Sequence, residues 1–166
     1  MELSFRIAVD HDAGAVAGLR SEVAQDLTRR YGPGHWSSTA TERGVLRDIR
    51  TSRVLLACHG KRLVGTLRLA TKRPWAIDPA FFSLCNRVLY LTDMAVAPGL
   101  QGQGIGRHCL KQAETIAVVW PADAIRLDAY EGPVGAGEFY TKCGFQERGR
   151  VTYRRTRLVY YELLLS

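Results

Sequence analysis

The segment Leu89–Lys111, LYLTDMAVAPGLQGQGIGRHCLK, constrains the fold of this chain more than any other. Leu89–Val96 is apolar, β-branched and aromatic over the length of a strand. Pro98 and Gly99 stop it. From there on Ile105, Cys109, Leu110, Ala113, Ile116, Ala117 and Trp120 fall on one face at helical spacing. Between strand and helix lies Gln101-Gly-Gln-Gly-Ile-Gly106, with glycines at alternate positions. Glycine permits close backbone approach and φ above zero. The first turn of a helix offers unpaired N–H groups and the positive end of the macrodipole. Strand, glycine loop and helix start, in that order, make an anion site suited to phosphate. The competing reading is a plain glycine-rich turn.

Spacing rules out two common phosphate loops. The dinucleotide fingerprint G-x-G-x-x-G and the Walker loop G-x-x-x-x-G-K-S/T are both absent here. What the loop matches is Gln or Arg, then Gly three residues on, then Gly or Ala two further on, met by Gln101, Gly104 and Gly106. In this it resembles the pyrophosphate-binding loop of the GCN5-related N-acetyltransferase (GNAT) family, as do the strand and Pro98 before it. The sequence Ala136-Gly-Glu-Phe-Tyr-Thr-Lys-Cys-Gly-Phe145 resembles the same family's later motif, A-x-x-x-Y-x-K-x-G-F. The two motifs stand about 30 residues apart, roughly one βαβ unit. The resemblance covers the second half by motif and the first half by its order of elements.

At 166 residues and 46% hydrophobic, the chain reads as a single domain over 1–166 able to bury a sizeable core. No repeat, low-complexity tract or polar linker interrupts it. The start, MELSFRIAVDHD, alternates like a strand and lacks a signal-peptide core. No apolar run approaches transmembrane length, so no membrane partner is expected. Cys58, Cys85, Cys109 and Cys143 are scattered, without a C-x-x-C pair. They are expected to be free thiols, with no metal site, in a soluble cytoplasmic protein. The net charge is +7, but its basic residues are spread along the chain. Arg148, Arg150, Arg154, Arg155 and Arg157 form the densest group and read as a solvated face. A nucleic-acid partner is therefore not expected. Arg107 and Lys111 beside the loop would suit a polyanionic cofactor such as coenzyme A.

Periodicity gives the remaining elements. Ser4–Val9 is a strand, and Asp10 or Asp12 can cap a helix over Ala13–Arg30. Thr39-Ala-Thr-Glu42 reads as a capping box opening a helix through Ile49. Val54–His59 and Leu63–Leu69 are strands joined at Gly60, and Thr71–Arg87 is a long connection. Strand Ala124–Tyr130, short helix Ala136–Lys142 and closing strands Phe145–Tyr153 and Leu158–Leu165 follow. The order β-α-α-β-β-β-α-β-α-β-β is that of the acetyltransferase fold. The resemblance implies an α/β (α+β) class with a mixed, mostly antiparallel central sheet flanked by helices.

The resemblance also implies a function: an acetyl-CoA-dependent N-acetyltransferase acting by direct transfer in a ternary complex on a small-molecule or peptide amine. A catalytically weak acetyl-CoA-binding module is the alternative. The family's splayed strand maps onto Met94, Ala95 and Val96, whose N–H groups would meet the pantetheine arm and acetyl carbonyl. Gln101, Gly102, Gln103, Gly104, Ile105, Gly106 and Arg107 would hold the pyrophosphate. Tyr140 falls on the family's general-acid tyrosine; packing on the sheet is its other reading. Many members carry Asn where this chain has Pro133, so that cofactor contact is lost or replaced. For the base, Asp128 and Asp93 both fit, because a carboxylate in an apolar strand is costly unless paired; Glu131 is a third candidate. The acceptor would meet aromatic walls formed by Tyr31, His35 and Trp36, and by Trp75, Phe81 and Phe82, which could equally be a satellite core. Homodimers are common in the family.

Overall fold

The computed structural model describes residues 1–165. Its elements are β1 (Ser4–Ile7), α1 (Ala13–Tyr31), α2 (Glu42–Thr51), β2 (Arg53–His59), β3 (Arg62–Ala70), β4 (Val88–Val96), α3 (Ile105–Val119), β5 (Ala124–Tyr130), α4 (Gly137–Lys142), β6 (Gln146–Tyr153) and β7 (Thr156–Leu164). The strands form one sheet in the order β1-β2-β3-β4-β5-β7-β6. β4 and β5 are parallel, whereas β1–β2, β2–β3, β5–β7 and β6–β7 are antiparallel. The expected mixed, mostly antiparallel sheet with flanking helices is what the chain forms.

Two capping expectations need correction. The second helix opens at Thr41 rather than Thr39, with Thr41 Oγ1 accepting the Gly44 N–H at 3.0 Å. Ala40 is held outside the helix because Ser21 Oγ takes its N–H and donates to its C=O. Asp12 stands at the cap position of α1 but makes no side-chain cap. Its carboxylate is taken by both Arg6 Nη groups at 2.7 Å and by the Val9 N–H at 2.8 Å. Those bonds outweigh the cost of burial and hold its carboxyl down at about 2.

The chain divides into two compact units. The first is Met1–Ala70 with Thr92–Ala113. Val16 and Ala17 of α1, Val45 of α2, and Val54 and Leu56 of β2 close its core with Ala8 and Ala13. Leu19 packs with Ala95 and Ala97 at the end of β4. Gly65 on β3 matters for the glycine loop. A Cβ there would lie 3.1 Å from Ile105 Cγ2 and 3.2 Å from Cys109 Sγ, tighter than ordinary contact. Its missing side chain lets the first turns of α3 sit directly on β3, burying Ile105 and Cys109 fully.

The second unit is Thr71–Leu91 with Glu114 to the last described residue. Ile77, Phe82, Tyr90 and Tyr160 form a core cluster, with Val88 and Val151 packed against it. The β4–β5 ladder runs from Val88↔Ala124 to Tyr90↔Arg126. Glu162 on β7 is fully buried and receives Arg126 Nε at 2.8 Å, Arg148 Nε at 3.0 Å and the Ser83 N–H at 3.2 Å. Burial alone would raise the Glu162 carboxyl, but the bonds from Arg126 and Ser83 prevail and hold it below the usual range. Arg126 also lies over the Phe82 ring at 4.8 Å. The long connection before β4 is thus tied to the sheet by charge-assisted hydrogen bonds.

Candidate active site

In the first unit, the loop between β4 and α3 takes the conformation its glycines allow. Gly102 has φ +81° and Gly104 φ +85°, both in the left-handed region. Gln101–Gly104 are exposed, Ile105 plugs the core, and Arg107 and Lys111 face solvent. The first hydrogen bond of the helix runs from the His108 N–H to Gly104 O at 3.1 Å. Among the described residues, no backbone acceptor takes the N–H groups of Gly102 through Arg107. No atom outside the loop's own neighbours lies within 4 Å of where a Gly102 Cβ would stand. A pyrophosphate fits such a cradle, with amides to bind it and the dipole of α3 to favour it. Gln101 Nε2 reaches back to Val96 O at 3.4 Å.

Met94, Ala95 and Val96 are the last residues of β4, beyond the end of its ladder with β5. Asp93 before them has φ +54°, uncommon for a residue other than glycine. Its side chain is 43% exposed and lies 4.0 Å from Arg20 Nη2. Arg20, only 10% exposed, pairs with Asp48 at 2.9 Å, and its Nε and Nη2 find no hydrogen-bond acceptor. Tyr31, His35 and Trp36 also belong to this unit. Tyr31 ends α1 under the Arg30 guanidinium, His35 is exposed, and Trp36 Nε1 donates to Gly32 O at 2.9 Å.

In the second unit, Asp128 is half-buried on β5, directly opposite Tyr160 on β7. Among the described residues no hydrogen bond or ion pair reaches its carboxylate, and burial pushes its carboxyl above the usual range. Tyr140 on α4 is buried, its ring 5.7 Å from that of Phe145 and 5.8 Å from that of Tyr161. Burial first, then Asp128 and Cys143, push its phenol well up, so it stays protonated. A half-buried carboxylate and a protonated phenol thus act on each other electrostatically. Glu131 is engaged, with Arg157 Nε at 3.1 Å. Pro133 is exposed in the turn before α4. None of the four cysteines is in a disulfide; burial raises Cys109 to about 11, leaving it an inert thiol.

A cavity of about 490 Å³ opens in the second unit, lined by residues of the Arg73–Pro79 stretch together with Val151, Thr152, Tyr153 and Tyr160. Trp75 is on its wall and 85% exposed. Phe82 is not on that lining; it packs in the core against Tyr160 at 5.1 Å. Phe81 meets Tyr160 edge-on at 5.4 Å. Arg73, Tyr153 and Tyr160 were not singled out from the sequence, although an aromatic pair flanking a basic turn was a visible signal.

A family model described as Acetyltransferase (GNAT) family matches residues 21–145. No curated protein sequence matches the chain. Among solved structures, an N-acetyltransferase from Staphylococcus aureus Mu50 is 16% identical with a TM-score of 0.77, covering 100% of both chains. The structure of yncA from Salmonella typhimurium with its cofactor acetyl-CoA is 16% identical, TM-score 0.76, covering 100% of this chain and 95% of that one. The PaiA N-acetyltransferase from Thermoplasma acidophilum in complex with coenzyme A is 16% identical, TM-score 0.75, covering 98% and 100%. At these identities the likeness is one of fold.

Proposed function

This chain belongs to the GNAT acetyltransferase family, and we propose that it is an N-acetyltransferase carrying the acetyl group of acetyl-CoA to a primary amine of a small molecule or peptide. Transfer is direct, in a ternary complex, and residues 1–166 work as one cytoplasmic catalytic domain. The observation that carries the proposal is the exposed loop Gln101–Gly106, with left-handed Gly102 and Gly104 and unclaimed amides at the start of α3. Solved relatives of the same fold hold acetyl-CoA and coenzyme A.

Acetyl-CoA supplies a thioester-activated acetyl group. The amides of Gly102–Arg107 bind its pyrophosphate, and Met94, Ala95 and Val96 hold the arm and orient the carbonyl. Most alkyl amines are charged at neutral pH and have no lone pair to attack with. Asp128 takes the proton from the acceptor nitrogen; its unpaired, raised carboxyl supports that role over Asp93, which already has Arg20 beside it. Tyr140 Oη gives its proton to the departing sulfur, and the second proton shed by the acylated nitrogen restores the phenol. The N–C bond forms as the C–S bond breaks, and the chain carries no acyl group at any point.

Titration calorimetry with acetyl-CoA, paired with an assay of free thiol release across an amine panel, tests the proposal. Binding with thiol release supports it. Binding without release from any amine assigns the chain to the cofactor-binding alternative, and no binding refutes the loop assignment itself.

A further inference from the structure

Resting on the N-acetyltransferase reading, we propose that the cavity of the second unit takes an acceptor amine that also carries a carboxylate on an aromatic or broad apolar body. It discriminates against polycationic amines.

The cavity measures about 490 Å³ and is open to solvent. Trp75 stands 85% exposed on its wall, a large ring left in water unless something covers it. Tyr153 and Val151 face the same space. Tyr160 is locked in place: its hydroxyl donates to Ala76 O and accepts the Asp78 N–H at 3.1 Å. The walls therefore suit a flat or broad apolar group.

Arg73 and Asp78 are the charged residues on the lining. Arg73 Nη1 donates to Ile77 O at 2.7 Å, which fixes the guanidinium against the cavity and leaves the rest of its fork for a ligand. Among the described residues, no carboxylate pairs with Arg73. Arg154 lies over the Tyr153 ring at 5.2 Å. Arg154 and Arg155 form the two-residue turn of the β6–β7 hairpin, between paired Tyr153 and Thr156, with φ 47° and 68°. Such a turn favours Asn-Gly, and L-residues adopt it at a cost. These two arginines put positive charge at the tip of the hairpin whose Val151, Thr152 and Tyr153 line the cavity. The one acid on the lining, Asp78, is occupied as a cap, its Oδ1 taking the Ala80 N–H at 3.0 Å. Asp128 faces Tyr160 across the β5–β7 ladder, so the wall of the cavity adjoins the proposed base. An acceptor would direct its amine towards Asp128 and its carboxylate towards Arg73, where a fork geometry matches.

The test uses the full chain with acetyl-CoA and three amines: L-phenylalanine, phenethylamine (the same molecule without the carboxylate) and spermidine. Thiol release should favour L-phenylalanine over phenethylamine in kcat/KM by about tenfold or more, with spermidine the poorest. Arg73→Ala should erase that preference through KM, costing L-phenylalanine more than phenethylamine, and Arg73→Lys should restore part of it. 3-Phenylpropionate, which lacks the amine, should compete with the acceptor in the parent and not in Arg73→Ala. Preference for spermidine, or equal loss on both aromatic amines in Arg73→Ala, overturns the proposal. Should no amine release thiol, calorimetry with 3-phenylpropionate decides. Arg73-dependent binding keeps the cavity assignment while the transfer reading fails; absence of binding refutes the cavity. Thiol release from all three amines, with a rate on L-phenylalanine relative to phenethylamine that Arg73→Ala does not alter, leaves transfer standing and refutes the cavity alone.

Discussion

Asp128 on β5 and Tyr160 on β7 stand directly opposite each other. The Tyr160 hydroxyl is held by Ala76 and Asp78, whereas among the described residues nothing hydrogen-bonds the Asp128 carboxylate. A half-buried acid left unpaired beside a fixed wall is costly to the fold, and such cost points to function.

Asp128→Asn separates the two. Burial raises the Asp128 carboxyl in the folded chain above its unfolded value of about 3.9. The native state therefore keeps a proton the unfolded state has lost, and stability falls as pH rises through that window. Removing the carboxylate should leave Tm at pH 7 equal to or above the parent's, the gain vanishing at pH below about 4. In kinetics, kcat/KM should drop and lose the acid limb expected of the parent, with the loss easing at high pH. A pH–rate profile overlaying the parent's would remove Asp128 as the base and point to Asp93.

Tyr140→Phe keeps the ring that packs on Phe145 and Tyr161 and removes only the hydroxyl. Turnover should fall about 10²–10⁴-fold, the usual range for an acid–base group, while the acetyl-CoA Kd from calorimetry stays near the parent's. Unchanged turnover, where chemistry limits the rate, would return Tyr140 to packing.

Local signals carried most of the architecture. The apolar run Leu89–Val96, the helical stripe from Ile105 and the glycine loop each lie within a few residues and were readable as such. What could not be read depends on partners far away in sequence. Ser21 decides that Thr41 rather than Thr39 caps α2, and Arg6 takes the carboxylate that would have capped α1. Gly65 looks like a plain strand glycine until α3, forty residues on, is seated against it. The cavity joins the Arg73–Pro79 stretch to Val151–Tyr153, and no period in the sequence links them. The turn at Arg154-Arg155 carries no Asn-Gly signal, so the hairpin was legible only from its flanking strands.

Gly104→Val tests the loop. The position has φ +85°, and the nearest atom to a new Cβ is His108 Nδ1 at 3.7 Å, so the penalty is backbone strain rather than a clash. That strain costs about 1–2 kcal/mol, or roughly 2–8 °C in Tm. Acetyl-CoA affinity should fall by more than about tenfold, since the side chain and altered backbone block close approach. Parent-like affinity would show that the cofactor is held elsewhere.

Glu162→Gln probes the charge network under the second unit. Arg126 and Arg148 would lose their shared carboxylate in a buried setting. The cost should be about 3–5 kcal/mol, lowering Tm by roughly 6–20 °C. A shift of less than about 2 °C would mean that water replaces the carboxylate there.

Transfer of acetyl from acetyl-CoA to an amine is the activity on which every residue role above depends. The most direct measurement follows free coenzyme A thiol while mass spectrometry identifies the amine product in the same reaction. One N-acetylated amine is expected for each thiol released, dependent on added acceptor and reduced in Gly104→Val at limiting acetyl-CoA. Acetyl-CoA binding accompanied by no N-acetylated product with any amine would contradict it.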